Sequence, residues 1–121
     1  FVVHGSDGLD EVTITGETRV SELKDGMICT YNIHPKDYVG KIQPLESIAG
    51  GDPSFNAQIV REVLSGKPGP CRDVVLMNAA LAIVAGEKAE DMREGVKIAA
   101  HCIDSGQAVK KLQALIEMSN S

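Results

Sequence analysis

From Val74 to Val84 every residue is apolar except Asn78. Proline at position 70 and glycine at position 86 bracket the stretch, and its length and composition predict a helix from about Cys71 to Ala85. The run is too short to span a bilayer. A helix that is apolar nearly all round belongs at the centre of a fold, with neighbours on more than one side. Its alanines allow those neighbours to come close. Asn78 is the exception within it. Its amide needs a hydrogen-bond partner inside the protein, and a bond to a loop backbone is the expected one, not a ligand contact.

Three further helices are predicted around it. Asp52 followed by Pro53 reads as an N-cap with proline in the first turn. Phe55, Ile59 and Val63 then recur at helical spacing, flanked by Val60 and Leu64, and Gly66 closes the helix. A third helix runs from about Ala89 to Asp104, with Met92, Val96, Ala99, Ala100 and Ile103 on one face. A fourth runs from about Gln107 to Met118 and turns Ala108, Leu112, Leu115 and Ile116 inward. Ser105-Gly106 separates the last two, with Ser105 as a cap.

The first third has strand-and-turn character. Phe1 to His4 is a short apolar strand, Gly5 to Gly8 a turn, and Glu11 to Thr15 alternates as a half-buried strand does. Gly16 opens another turn, after which Thr18-Arg19-Val20 pairs back as a hairpin. Lys24-Asp25-Gly26 is a strong turn signal, and Met27 to Ile33 is a further strand ended by Pro35. Residues 35 to 51, with two prolines and three glycines, read as a loop. Strands first and helices after imply an α/β or α+β layer of a few strands covered by about four C-terminal helices. So small a sheet beside so apolar a helix looks incomplete. With Phe1-Val2-Val3 opening inside a strand, residues 1–121 are expected to be one piece of a longer protein whose missing strands lie upstream.

Composition excludes some functions. The formal net charge of −5 argues against a general nucleic-acid or anionic-membrane surface. Aromatic residues make up 3% of the chain with no tryptophan, so the core must be aliphatic. Cys29, Cys71 and Cys102 are too far apart for a zinc-ligand pattern and are expected to be reduced, buried thiols of a cytoplasmic protein.

Chemistry is concentrated at Asp10-Glu11. Two adjacent carboxylates at a strand-to-loop junction offer hard oxygen ligands of the kind Mg²⁺ selects, and Mg²⁺ is often bridged by substrate phosphates. The other polar residues have plainer readings. Asp7 before Gly8 makes a turn, though an outer-shell acid is its functional alternative. His4 and His101 are read as structural and His34, before Pro35, as a loop residue. Gly50-Gly51-Asp52 is a tight turn and N-cap in preference to a phosphate cradle. Arg72-Asp73 is helix-start charge, with a local ion pair.

The motifs together resemble one family, the anthranilate phosphoribosyltransferases. Val3-His4-Gly5-x-Asp7-Gly8-Leu9-Asp10-Glu11 looks like its Mg²⁺-binding segment. Gly50-Gly51-Asp52 with Asn56-Ala57 and Val63-Leu64-x-Gly66, then Arg72-Asp73-x-Val75-x-x-Asn78-Ala79-Ala80 with Gly86, then Ala99-x-x-x-Ile103-x-Ser105-Gly106 follow in family order. The resemblance implies an α/β domain of the nucleoside phosphorylase and phosphoribosyltransferase type, of which residues 1–121 are the C-terminal part. It implies transfer of a phosphoribosyl group from phosphoribosyl pyrophosphate to anthranilate in tryptophan biosynthesis, by a cytoplasmic homodimer. It makes Asp10 and Glu11 the metal ligands and Mg²⁺ the cofactor. The family's Gly-Thr-Gly-Gly-Asp loop and Lys-His-Gly-Asn stretch, which hold phosphoribosyl pyrophosphate, do not occur here, nor does its helical N-terminal domain. The isolated fragment is therefore expected to be inactive. A related nucleoside phosphorylase is an alternative that the Asp-Glu pair and the helix motifs argue against. A non-catalytic α/β interaction module is another.

Overall fold

The computed structural model describes residues 1–121. Three strands come first: β1 (Val2–Gly5), β2 (Thr18–Lys24) and β3 (Met27–Ile33). They form one antiparallel sheet in the order β1-β2-β3. Asp25 and Gly26 make the two-residue turn between β2 and β3. Both have positive φ (50° and 77°), the backbone that matches the twist of a tight hairpin. Val3 lies opposite Val20, and Val20 opposite Tyr31. Side chains alternate across a strand, so this row faces the helices while the row His4, Arg19 and Asn32 faces away.

Residues 34–52 are irregular, with two short 3₁₀ turns at Pro35–Asp37 and Leu45–Ile48. His34 caps the first, its Nδ1 accepting from the Lys36 N–H at 3.2 Å. Four helices follow: α1 (Pro53–Leu64), α2 (Pro70–Ala85), α3 (Met92–Asp104) and α4 (Gln107–Ser119). The N-cap expected at Asp52 is present, its carboxylate accepting from the Phe55 N–H at 2.9 Å. Helix α3 starts three residues later than Ala89 because Asp91 caps it, accepting from the Glu94 N–H at 2.8 Å. Helix α2 stands between two hydrophobic clusters. Met77, Ala80 and Leu81 pack with Val12, Ile14, Val20, Ile33 and Met92, while Leu76 packs with Val63, Ala99 and Ile103. That double duty is why its sequence has no polar face.

Several burial expectations are corrected. Helix α2 is central but not enclosed: Val75, Ala82 and Ala85 are exposed. Phe55 and Val60 of α1 and Leu115 and Ile116 of α4 are also exposed, since nothing within these residues lies over them. The three cysteines form no disulfide, yet none is fully buried and Cys29 on β3 is exposed. No helix is long and apolar enough to cross a membrane.

Candidate functional site

Asp10 and Glu11 are carried by a loop, residues 6–17, that joins β1 to β2. Its ends are closed by a hydrogen bond from the Ser6 N–H to the Glu17 carbonyl, 2.9 Å. The strand expected over Glu11 to Thr15 is absent. Val12, Thr13 and Ile14 are all buried, whereas a half-buried strand exposes alternate residues. The backbone instead takes its partners one at a time, from side chains and a neighbouring loop. Asn78 of α2 accepts from the Val12 N–H at 2.8 Å and donates to the Val12 carbonyl at 2.9 Å. Thr13 N–H donates to the Thr18 hydroxyl at 3.0 Å, and Thr15 N–H to the Thr13 hydroxyl at 3.1 Å. The Ile14 carbonyl accepts from the Gln43 N–H at 2.9 Å. A buried segment can do without a ladder only if its groups are paired in this way.

Asp7 is the second anchor. Its carboxylate accepts from the Thr13 hydroxyl at 2.5 Å, the Thr15 hydroxyl at 2.7 Å and the Leu9 N–H at 3.1 Å. Gly5 leaves room for it, because a Cβ there would lie 2.6 Å from Asp7 Oδ1. Asp7 is thus more than a turn residue, and its oxygens are spent inside the loop. Burial alone would raise its pKa. The hydrogen bonds from Thr13, Leu9 and Thr15 outweigh that and hold it below the ordinary 3.8. A depressed folded-state pKa adds stability above the unfolded value, and that stability is lost as pH falls through the folded one. Asp7→Asn should therefore cost about 1–2 kcal/mol at pH 7 and progressively less below about pH 4. Urea unfolding of both forms at pH 7 and pH 3 checks this; a penalty that does not shrink in acid contradicts it.

With the loop tied at Val12 by Asn78 and at Thr13 and Thr15 by Asp7, Asp10 and Glu11 are left at its surface. Both are exposed. Neither takes part in the ion pairs of the chain, which join Lys41 to Asp73, Lys67 to Glu62 and Arg72 to Asp104. No three His, Cys, Asp or Glu residues converge on one point as a closed metal site would require. The pair is therefore two exposed carboxylates, outside any ion pair, on a loop held by Asn78 and Asp7. Carboxylates of this kind are the hard oxygen ligands that Mg²⁺ takes.

The remaining candidates divide between agreement and correction. Asn78 bonds a loop backbone, as its place in an apolar helix required. Gly50-Gly51-Asp52 is a turn and cap: the Asn56 side chain accepts from the Gly51 N–H at 2.8 Å and donates to its carbonyl at 3.1 Å. Arg72 pairs with Asp104 of α3, at 2.9 Å, not with a local acid. Burial raises the pKa of Asp73, opposed by Lys41 at 3.8 Å. His101 is exposed on α3 instead of structural. His4 is also exposed, opposite Arg19, in an open polar groove of about 510 Å³ shared with Asn32, Tyr31 and Glu17. The threonine clamp at positions 13, 15 and 18 was not foreseen. Its sequence signal is the recurrence of hydroxyls in a segment whose aspartate has no basic neighbour.

Residues 1–109 match the glycosyl transferase family, a/b domain. The chain belongs to that family. It is 53% identical, over 122 aligned residues, to the anthranilate phosphoribosyltransferase of Desulfosudis oleivorans, and 50% identical, over 119 residues, to that of Rhodopseudomonas palustris strain HaA2. These alignments take in 100% and 98% of this chain but 36% and 35% of the relatives. The chain thus spans about a third of the length of the curated relatives it matches. Its fold superposes on the anthranilate phosphoribosyltransferase of Thermus thermophilus with a TM-score of 0.86 at 34% identity, covering 98% of this chain and 35% of that one. On the Saccharomyces cerevisiae enzyme, in a complex with PRPP and Mg, the TM-score is 0.84 at 32% identity, covering 95% and 33%.

Proposed function

We propose that this chain is the C-terminal part of the α/β domain of an anthranilate phosphoribosyltransferase, and that Asp10 and Glu11 are its share of a Mg²⁺ site. One observation carries the reading: two exposed, unpaired carboxylates on a loop tied down beside them by Asn78 and Asp7. Such order at a rim costs conformational freedom and serves a ligand that must meet both acids in one geometry. Relatives of about half identity bear that enzyme's name, and the yeast enzyme has been seen with PRPP and Mg.

Bound Mg²⁺ supplies charge neutralisation for a pyrophosphate leaving group. The part played by this chain is to hold two ligand oxygens still, so that no reorganisation is needed as negative charge develops. Asp10 and Glu11 anchor and do not act as general bases. Phosphoribosyl pyrophosphate and anthranilate are bound mostly by residues upstream of Phe1, where the glycine-rich loop and the helical domain of the resembled family belong. A homodimer in the cytoplasm completes the reading.

The test is a complementation of parts. Residues 1–121 alone should show no phosphoribosyl transfer to anthranilate, and the full-length chain should show Mg²⁺-dependent transfer. Loss of anthranilate fluorescence follows the reaction. Transfer by the isolated residues, or a full-length chain inactive with Mg²⁺ and both substrates, overturns the proposal.

A further inference from the structure

The hydrogen bonds of Asn78 reach directly to the residue after Glu11. Its amide meets both backbone groups of Val12, at 2.8 and 2.9 Å, across 66 residues of sequence. Its second N–H is taken by the Val74 carbonyl at 3.0 Å, one turn back on α2. All three hydrogen bonds are met in one orientation of the amide. Flipping it would set the NH₂ group against the Val12 N–H and the oxygen against two carbonyls. An asparagine here acts as a one-residue strand, doing for Val12 what a β-partner does along a ladder.

We infer that Asn78 is the positioning residue for the Asp10-Glu11 pair, fixing the carboxylates through the Val12 backbone. The inference rests on the metal-site reading proposed above. The side chain fits the role for three reasons. Asn78 is the one polar residue in the run from Val74 to Val84, where an apolar residue would serve packing alone. It grips the main chain next to Glu11 and not a side chain, so it sets where the loop lies and leaves its acids free. And α2 is a rigid support, flanked by both hydrophobic clusters. Asp7 holds the other side of the same loop through Thr13 and Thr15. Val12 is thus held by one clamp and followed by the other, and Asn78 makes the hydrogen bonds of the loop to the helical layer, beside the packing of Val12 and Ile14 on α2.

The experiment reads the Mg²⁺ concentration giving half-maximal rate in the full-length enzyme, with Mn²⁺ paramagnetic relaxation as a direct measure of metal binding. Asn78→Leu, close in volume but unable to hydrogen-bond, should raise the half-maximal Mg²⁺ concentration and weaken Mn²⁺ binding about tenfold, with the KM for anthranilate unchanged. Asn78→Ser, milder, should shift both in the same direction and decides the matter if the leucine variant does not fold. In an Asp10→Asn, Glu11→Gln background the Asn78 substitutions should bring no further change in metal dependence, as expected of residues acting through one another. Ile103→Val, in the other hydrophobic cluster, should lower the melting temperature without moving the Mg²⁺ requirement. If Asn78 variants melt earlier while their Mg²⁺ and Mn²⁺ behaviour stays that of the wild type, and the acid-pair variant does lose metal dependence, Asn78 is merely structural. If the acid-pair variant itself keeps normal metal dependence, the metal-site reading fails and takes this inference with it.

Discussion

Replacing Asp10 by Asn together with Glu11 by Gln in the full-length enzyme is expected to lower Mg²⁺-dependent phosphoribosyl transfer about 10²- to 10³-fold, the loss typical of removing one preorganised electrostatic contact to a developing charge. Both substitutions keep shape and volume, so packing is not the cause. The two acids are exposed and make no ion pair, so folding stability should change by less than about 0.5 kcal/mol. This separation is what makes the experiment decisive. A large kinetic effect with an unchanged melting temperature assigns the acids to the reaction. The effect should fall partly on the Mg²⁺ requirement, since amides bind Mg²⁺ far less well than carboxylates do. Steady-state rates measured against Mg²⁺ at saturating substrates, beside a thermal melt of each variant, check it. Unchanged rate and unchanged metal requirement would remove the pair from the mechanism.

The helical half of the fold was legible in the sequence, because its signals are local. Proline and glycine punctuate it, Asp52 caps α1 through its own next turn, and 3.6-residue periodicity marks the faces. Strands β1 and β3 and the Asp25-Gly26 turn were legible for the same reason. The loop over residues 11–15 was not. Valine, threonine, isoleucine, threonine is the alternation of a half-buried strand, and what makes it a loop lies elsewhere, in Asn78 and in Asp7. Periodicity also marks an apolar face without saying what covers it, so Phe55 on its helical stripe, and Leu115 and Ile116 on a face expected to turn inward, are exposed with nothing here lying over them. The Asp-Glu pair was found as a pair, but not the reason it is held still. That reason spans 66 residues and needs the fold to be seen.

The largest effect on stability is expected at a residue that no motif singled out. Gly95 lies on α3 against α2, and a Cβ there would stand 2.7 Å from the Ala80 carbonyl oxygen and 3.0 Å from the Ala80 Cα. These are backbone atoms in the middle of a packed helix, so they cannot turn aside as a flexible side chain would. Gly95→Val should therefore force α2 and α3 apart and lower stability by about 3 kcal/mol, the upper part of the range for overpacked cores. Gly95→Ala should cost less, because the alanine regains about 1 kcal/mol of helix propensity that glycine forgoes. Lys97→Val, exposed on the same helix, gives the intrinsic cost of a β-branched residue there and should fall within about 0.5 kcal/mol of wild type. Urea unfolding of the three variants orders them. Equal stability of Gly95→Val and Lys97→Val would mean that the helices are not in contact at this point. The consequence reaches the candidate site, since Ala80 stands two residues from Asn78 and any shift of α2 is carried to Val12. A Gly95→Val enzyme that still folds should thus need more Mg²⁺ than wild type, while a destabilised Ile103→Val enzyme should not.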